Sequence, residues 1–423
     1  MDPFPFENRH RKAAEELYNQ RSRLLARGTC NAAALIALEG RLMAHLHVLA
    51  RLGAQGLDGK GQDAARFVDY AVALQADDPA AVSDACRLAL EQLGDPVIST
   101  APILAAFVLY PPDNALLIEQ YRTRPEAGAP LFTLWHRQGA ALPAELVNQA
   151  ELQGHDKELQ YRALTYAADQ PTYGSDRFRP YYAGLLDQTQ GEPAPVRQLI
   201  PALRGGLLHG DPEAPPALRR ALAQVEAPDD QLTLLRLLAL NGDRADLPVL
   251  HEHYRRSPAQ GLHLLVLTGL AESIPSLLDS LGRPDLSEAS AEAWTWLTGV
   301  TLPQRPHLML VDEQGGSRAP SHQDEEAMKQ VPDRATAEAW WQSRAPAWGD
   351  ERRIAGAPLE AGWLIHLAKE RVGDALTDLL DLLALQLKHP LGISPWGWTA
   401  PRRRRLQALE TPPASPKAGA GRG

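Results

Sequence analysis

Few residues in this chain stand at spacings that support chemistry. His251 and His253, in HEHYRR at 251–256, are two apart, so on a helix they point to different sides. Zinc hydrolases need histidines at i and i+4 with a glutamate beside the first, so this pair fits a solvated helix face better than a metal. HLH at 45–47 fails by the same spacing, and His45 is expected at the edge of an apolar stripe. GLDGKG at 56–61 has the glycines and lysine of a phosphate loop. It lacks the Ser or Thr after Lys60, and a helical pattern precedes it where a strand is needed. SHQDEE at 321–326 gathers His322, Asp324, Glu325 and Glu326, which in a polar stretch read as solvated and not as metal ligands. A Gly-x-Ser-x-Gly elbow and zinc-type cysteine spacing are both missing. No catalytic residue, cofactor or metal is assigned, and the chain reads as non-enzymatic.

Charge carries more information. The chain has 43 basic and 52 acidic residues, a formal net charge of −9, which disfavours bulk attraction to nucleic acid or anionic lipid. Residues 221–330 hold sixteen acids and eight bases, most of that excess in a quarter of the length. An ordinary soluble surface would account for this block, but opposite potentials speed association and exclude wrong partners, so it is also a candidate face for a basic protein. Its candidate contacts are Asp243, Asp246 and Glu252, with Asp312, Glu313, Asp324, Glu325 and Glu326 in a polar stretch beyond them. Trp340 and Trp341 are helical neighbours that cannot both point inward, so Trp341 is assigned to the partner or to the loop that supports it. Arg402, Arg403, Arg404 and Arg405 follow Trp396 and Trp398. Basic residues beside aromatics can grip a nucleic-acid backbone, but the overall charge favours arginines that pair with acidic neighbours.

The elements that must carry these residues are helices. Residues 31–53 place Leu35, Leu38, Leu42, His45 and Leu49 on one stripe, and residues 79–96 do the same with Cys86, Leu90 and Leu93. Similar Leu- and Ala-rich runs of roughly 8–15 residues, punctuated by Gly, Pro or Asp, fill the chain to about residue 300. Alternation of β-branched residues is nearly absent, and the fold class is all-α. NGDRADLPVL at 241–250 and GLAESIPSLL at 269–278 repeat one signature: Gly242 and Gly269, each followed six residues later by Pro248 and Pro275. The Gly ends one helix in a left-handed cap and the Pro starts the next. Gly139 and Pro143 give a shorter version. Short helices with one apolar face bury it by stacking on copies of themselves, so the repetition predicts an α-solenoid of helical hairpins. An irregular bundle reusing good helix stops is the alternative. The expected segments are 1–70 (N-terminal helical), 71–300 (repeats), 301–338 (polar insertion), 339–410 (C-terminal helices) and 411–423 (low-complexity tail). Two cysteines, Cys30 and Cys86, no secretory pattern in MDPFPFENRH and no 18-residue apolar run lead to the expectation of a cytoplasmic protein without a membrane span.

From "LEGRLMAHLHVLARLG" through "GLAESIPSLLDSL", "AWTWLTGV", "AEAWWQSR" and "RRIAGAPLEAGWLIHLAKE" to "WGWTAPRRRRLQAL", the chain resembles a proteobacterial family of HEAT-like repeat proteins. Its members are often encoded beside type VI secretion spike and effector genes. The resemblance covers roughly residues 20–410 and brings no catalytic residues. It implies a protein-binding role: an immunity protein that blocks a co-encoded type VI toxin in the producing cell's cytoplasm, plausibly a DNase, whose basic nuclease surface an acidic solenoid would suit. The alternatives are an adaptor that loads an effector onto the spike and, from another class, a nucleic-acid-binding repeat protein.

Overall fold

In a computed structural model, residues 5–27, 31–53, 62–95, 97–152, 156–187, 194–306 and 330–410 are described. Among them are twenty-one α-helices and two short antiparallel strand pairs, so the chain is all-α. Cys86 is a buried free thiol, and Cys30 lies outside the described residues. The chain divides into two compact units. One holds residues 1–182, 193–211 and 364–423, the other residues 183–192 and 212–363. That division does not follow the five segments expected from the sequence, because residues 364–410 pack with the N-terminal helices.

In the first unit every second helix packs on the next. Pro5–Arg27, Asp63–Ala73, Ala101–Leu109, Gly128–Gln138, Lys157–Ala168 and Val196–Leu208 form one continuous series. Other helices attach alongside: Ala32–Arg51 on the first member and Ala144–Leu152 on Lys157–Ala168. The reason lies in the apolar stripes. Helix Ala32–Arg51 buries Leu35, Leu38, Leu42, Leu46 and Leu49 at its own helical spacing, and Asn31 caps it by accepting from the Ala34 amide. His45 sits half-buried at the stripe's edge. This helix is long and apolar enough to cross a bilayer. Its Glu39, however, is 2% exposed and holds Arg21 at 2.8 Å, so its buried face is spent inside the unit.

The second unit repeats the arrangement with Pro228–Asn241, Pro258–Leu267 and Ser287–Thr298, and with Leu247–Arg256 and Ile274–Leu281 alongside. The repeated sequence signature resolves into geometry here. Gly242 (φ 69°) and Gly269 (φ 71°) take the left-handed conformation expected of them. Each is followed by a 3₁₀ turn, Arg244–Asp246 or Ala271–Ser273, and Pro248 and Pro275 then lie in the first turns of the next helices. A second constraint on the glycines was not legible. A Cβ on Gly269 would come within 2.9 Å of the Arg353 carbonyl, and one on Gly242 would collide with the Arg352 guanidinium.

Both contacts belong to a strap, residues 352–356, that crosses the C-terminal ends of the three series helices. Arg352 donates to Leu240 O (2.8 Å), Asn241 O (3.0 Å) and Thr268 O (2.7 Å). The amides of Arg353, Ala355 and Gly356 donate to Gly269, Trp296 and Leu297. Among the described residues Arg352 has no carboxylate partner, and burial pulls its pKa down to about 10. The negative ends of two helix dipoles take the place of a counter-ion. The strap is the base of a hairpin in which Arg353–Ile354 pairs with Ala357–Pro358. Its two-residue turn has positive φ at both Ala355 (50°) and Gly356 (78°), the twist-compatible turn type.

The polar insertion is anchored at both ends. Gln304–Pro306 pairs antiparallel with Gln330–Pro332, a pairing the sequence reading did not anticipate; residues 307–329 lie outside the described residues. Asp333, 3% exposed, caps the helix Arg334–Trp348 and holds Arg305 at 2.7 Å. On that helix Trp340 and Trp341 are both half-buried against one core, which modifies the expectation that only one would face inward. Trp348 lies eight and seven residues after them, so the two neighbours straddle its stripe. It meets Trp340 edge-on at 5.9 Å and Trp341 at 5.4 Å.

Two substitutions test the strap. Arg352→Met orphans three helix-end carbonyls and is expected to cost about 2–4 kcal/mol in urea unfolding. Ala355→Gly relieves a left-handed alanine and is expected to add about 1 kcal/mol.

Candidate functional site

The acids singled out from sequence separate into three groups. Asp243 and Asp246 stand together, but on a shared cation: Arg219 reaches Asp246 at 2.6 Å and also pairs with Asp243. Asp246 is 3% exposed. Asp243 accepts from the Ala245 amide at 3.0 Å, and that bond, with Arg219, holds its carboxyl below the usual range. Glu252 is bracketed on its own helix by Arg255 (2.9 Å) and Arg256 (2.8 Å). Asp312, Glu313, Asp324, Glu325 and Glu326, with His322, lie outside the described residues. Trp341 is half-buried, packed edge-on against Trp348. His251 and His253 are half-buried without a metal-binding neighbour, and no trio of His, Cys, Asp or Glu among the described residues is placed to hold a metal.

The structure instead assembles an acidic groove that the sequence reading missed. An open cavity of about 690 Å³ in the second unit is walled by Asp285, Ser287, Glu288, Glu292, Gln304 and Gln330. Helix Ser287–Thr298 supplies Glu288 and Glu292 one turn apart on one face. The paired strands supply the two glutamines, and the Ser287 hydroxyl ties the wall together by donating to Gln330 O at 2.7 Å. Asp285 is engaged by Arg283 at 2.7 Å. Neither Glu288 nor Glu292 is paired with a lysine or arginine among the described residues. Burial, with Glu288 alongside, raises the Glu292 pKa above its ordinary value, and His263 opposes the rise. The groove therefore sets two carboxylates without a Lys or Arg partner beside the anchored ends of the insertion. A signal existed in the sequence: two glutamates at i and i+4 with no lysine or arginine within a turn of either.

A second cluster lies in the first unit. His136 Nε2 is 2.5 Å from Asp169, whose other oxygen takes Arg204 at 2.7 Å; Arg204 also holds Asp381 at 2.6 Å. Burial opposes charge on Asp169, but Arg204 and His136 overcome it and hold the carboxyl well below the usual range. Two carboxylates likewise keep Arg204 firmly cationic despite burial. Nearby, burial pushes His209 down to about 4. Perturbed groups of this kind mark functional sites or structural ion networks. The cluster sits where Gly392 N binds Asp169 O at 2.9 Å. Its work is to fasten the C-terminal segment.

The arginine run is partly spent in the same way. Arg402, 3% exposed, donates to Pro395 O (2.9 Å) and Gly397 O (3.3 Å). Arg405 donates to Gly392 O (3.1 Å) and to Gln138 O. Arg403 is 3.8 Å from Glu370. Trp398 is buried, donates to Ala105 O at 3.2 Å and lies under Arg21 at 4.1 Å.

No protein-family model, curated protein or solved structure matches the chain.

Asp169→Asn is expected to destabilise the protein by about 2 kcal/mol at pH 7, since Arg204 loses one of its two carboxylate partners. The native carboxyl titrates below its unfolded value of about 3.9, so its stabilisation is complete above that pH and lost below it. The gap between variant and wild type in denaturation should therefore begin to narrow as pH falls below about 3.9 and close only below the native carboxyl's own, much lower value.

Proposed function

We propose that this chain is a non-enzymatic protein-binding protein whose two units are stacks of HEAT-like helical hairpins, and that its acidic groove receives a basic protein. The observation that carries this is the pair Glu288 and Glu292, without a lysine or arginine partner among the described residues, set in a groove of about 690 Å³ beside the anchored ends of the insertion. The solenoid reading is supported by the packing of every second helix on the next in both units, the pattern that stacked hairpins produce. The acids of the repeat signatures, Asp243, Asp246 and Glu272, are already paired with arginines, whereas the groove offers two neighbouring carboxylates to an incoming cation. A wall built on a regular helix and a pinned strand pair presents its charges at fixed positions, which favours selectivity over promiscuity.

The biological setting we propose is immunity: the protein sequesters a co-encoded type VI toxin, plausibly a DNase, in the cytoplasm of the producing cell. Its support is the sequence resemblance together with the sign of the groove, since a nuclease surface must be basic to approach phosphates. A stable block of this kind buries on the order of 1,200–2,000 Å² in total.

The test is growth rescue. Cells expressing the toxin encoded beside this chain should survive when the chain is co-expressed. Glu288→Lys with Glu292→Lys should weaken the purified complex about tenfold or more in calorimetry, with the fold intact by circular dichroism. Binding without rescue would identify an effector-loading adaptor. Unchanged affinity in the double variant would remove the groove from the interface.

A further inference from the structure

Helices Pro5–Arg27 and Ala32–Arg51 pack against each other, and two imidazoles meet across that contact. His10 Nδ1 stands 2.8 Å from His45 Nδ1, with ring centroids 4.9 Å apart. Phe6 flanks His10 edge-on at 4.5 Å. A nitrogen-to-nitrogen hydrogen bond needs one donor and one acceptor, so one of the two rings must be neutral.

The charges around the pair do not favour a second proton. Neither ring has a carboxylate within ion-pair distance among the described residues. From the third helix, Asp69 is taken by Arg11. Glu15, on the first helix, faces Arg11, Lys12 and Asp69. Arg41, one turn before His45, adds positive charge, and burial, His10 and Arg41 together lower the His45 pKa. The C-terminal elements meet these helices elsewhere: Val372 packs with Leu25, Ala32 and Leu35, and Thr399 N binds Glu39 at 2.9 Å.

We propose that the His10–His45 contact is an acid-sensitive latch, which docks the start of the N-terminal helix while one imidazole is neutral and releases it when both are protonated. Two imidazolium rings facing at this distance repel, and neither keeps an acceptor for the other's N–H. The unfolded chain binds the proton more readily than the folded one, so stability rises with pH across the window. The latch is whole above about 6.5, the ordinary histidine value, and weakens as pH falls below it. This inference is independent of the acidic groove, which belongs to the other unit.

The experiment is amide hydrogen exchange on the full chain at pH 7.5 and 5.5, corrected for intrinsic rates and with chelator present. In the wild type, protection of peptides within 5–16 should fall about threefold to tenfold at pH 5.5, while Val196–Leu208 stays unchanged. His45→Gln keeps an amide that accepts from His10 but cannot be protonated, and it should hold its protection at both pH values. No loss in the wild type, or an equal loss in His45→Gln, overturns the latch. Should that variant misfold, imidazole NMR of the wild type decides: His45 titrating below His10, in step with the loss of protection, supports it, and simultaneous titration at ordinary histidine values overturns it.

Discussion

A helix that ends inside a protein leaves its last carbonyls without intrahelical partners, and this fold is organised around supplying them. Stacking every second helix on the next brings those ends into rows. In the second unit the row is met by Arg352 and the amides of residues 353–356. In the first unit residues 392–405 do the same work, with Gly392 N on Asp169 O and Arg405 on Gln138 O. Short helices with few residues each gain little from their own hydrogen bonds. A segment that ties several ends at once makes each helix's stability depend on its neighbours'.

The same economy governs charge. Arginines go to carbonyl rows or to paired carboxylates: Arg204 between Asp169 and Asp381, Arg219 between Asp243 and Asp246, Arg21 on Glu39. A buried guanidinium is tolerable only when its donors are satisfied. Two helix dipoles do for Arg352 what a carboxylate does for Arg204. Local neutralisation is thus extensive in a chain whose formal charge is −9. Net charge counted along a segment does not show which of its acids are paired, and at Glu288 and Glu292 no lysine or arginine among the described residues pairs the carboxylates.

Local signals were read well from sequence wherever they act within one or two turns. The stripe of residues 31–53, the left-handed glycines 242 and 269 and the prolines 248 and 275 all took the conformations that their chemistry dictates. Trp340 and Trp341 both pack half-buried against one core, because the stripe they share is set by Trp348, two turns later. The acids were chosen by local density, and density does not reveal a cation brought from elsewhere: Arg219 lies more than twenty residues before Asp243.

By itself, then, the sequence determined an all-α chain of short helices with a repeated Gly-to-Pro joint and no spaced set of catalytic side chains, because periodicity and turn chemistry are local properties. Tertiary structure alone decided which charges remain unpaired, which glycines face a strap and where residues 364–410 belong. Those outcomes depend on atoms brought together across tens to hundreds of residues, as when Arg21 meets Trp398 or Arg204 meets Asp381, and no window along the chain contains both partners.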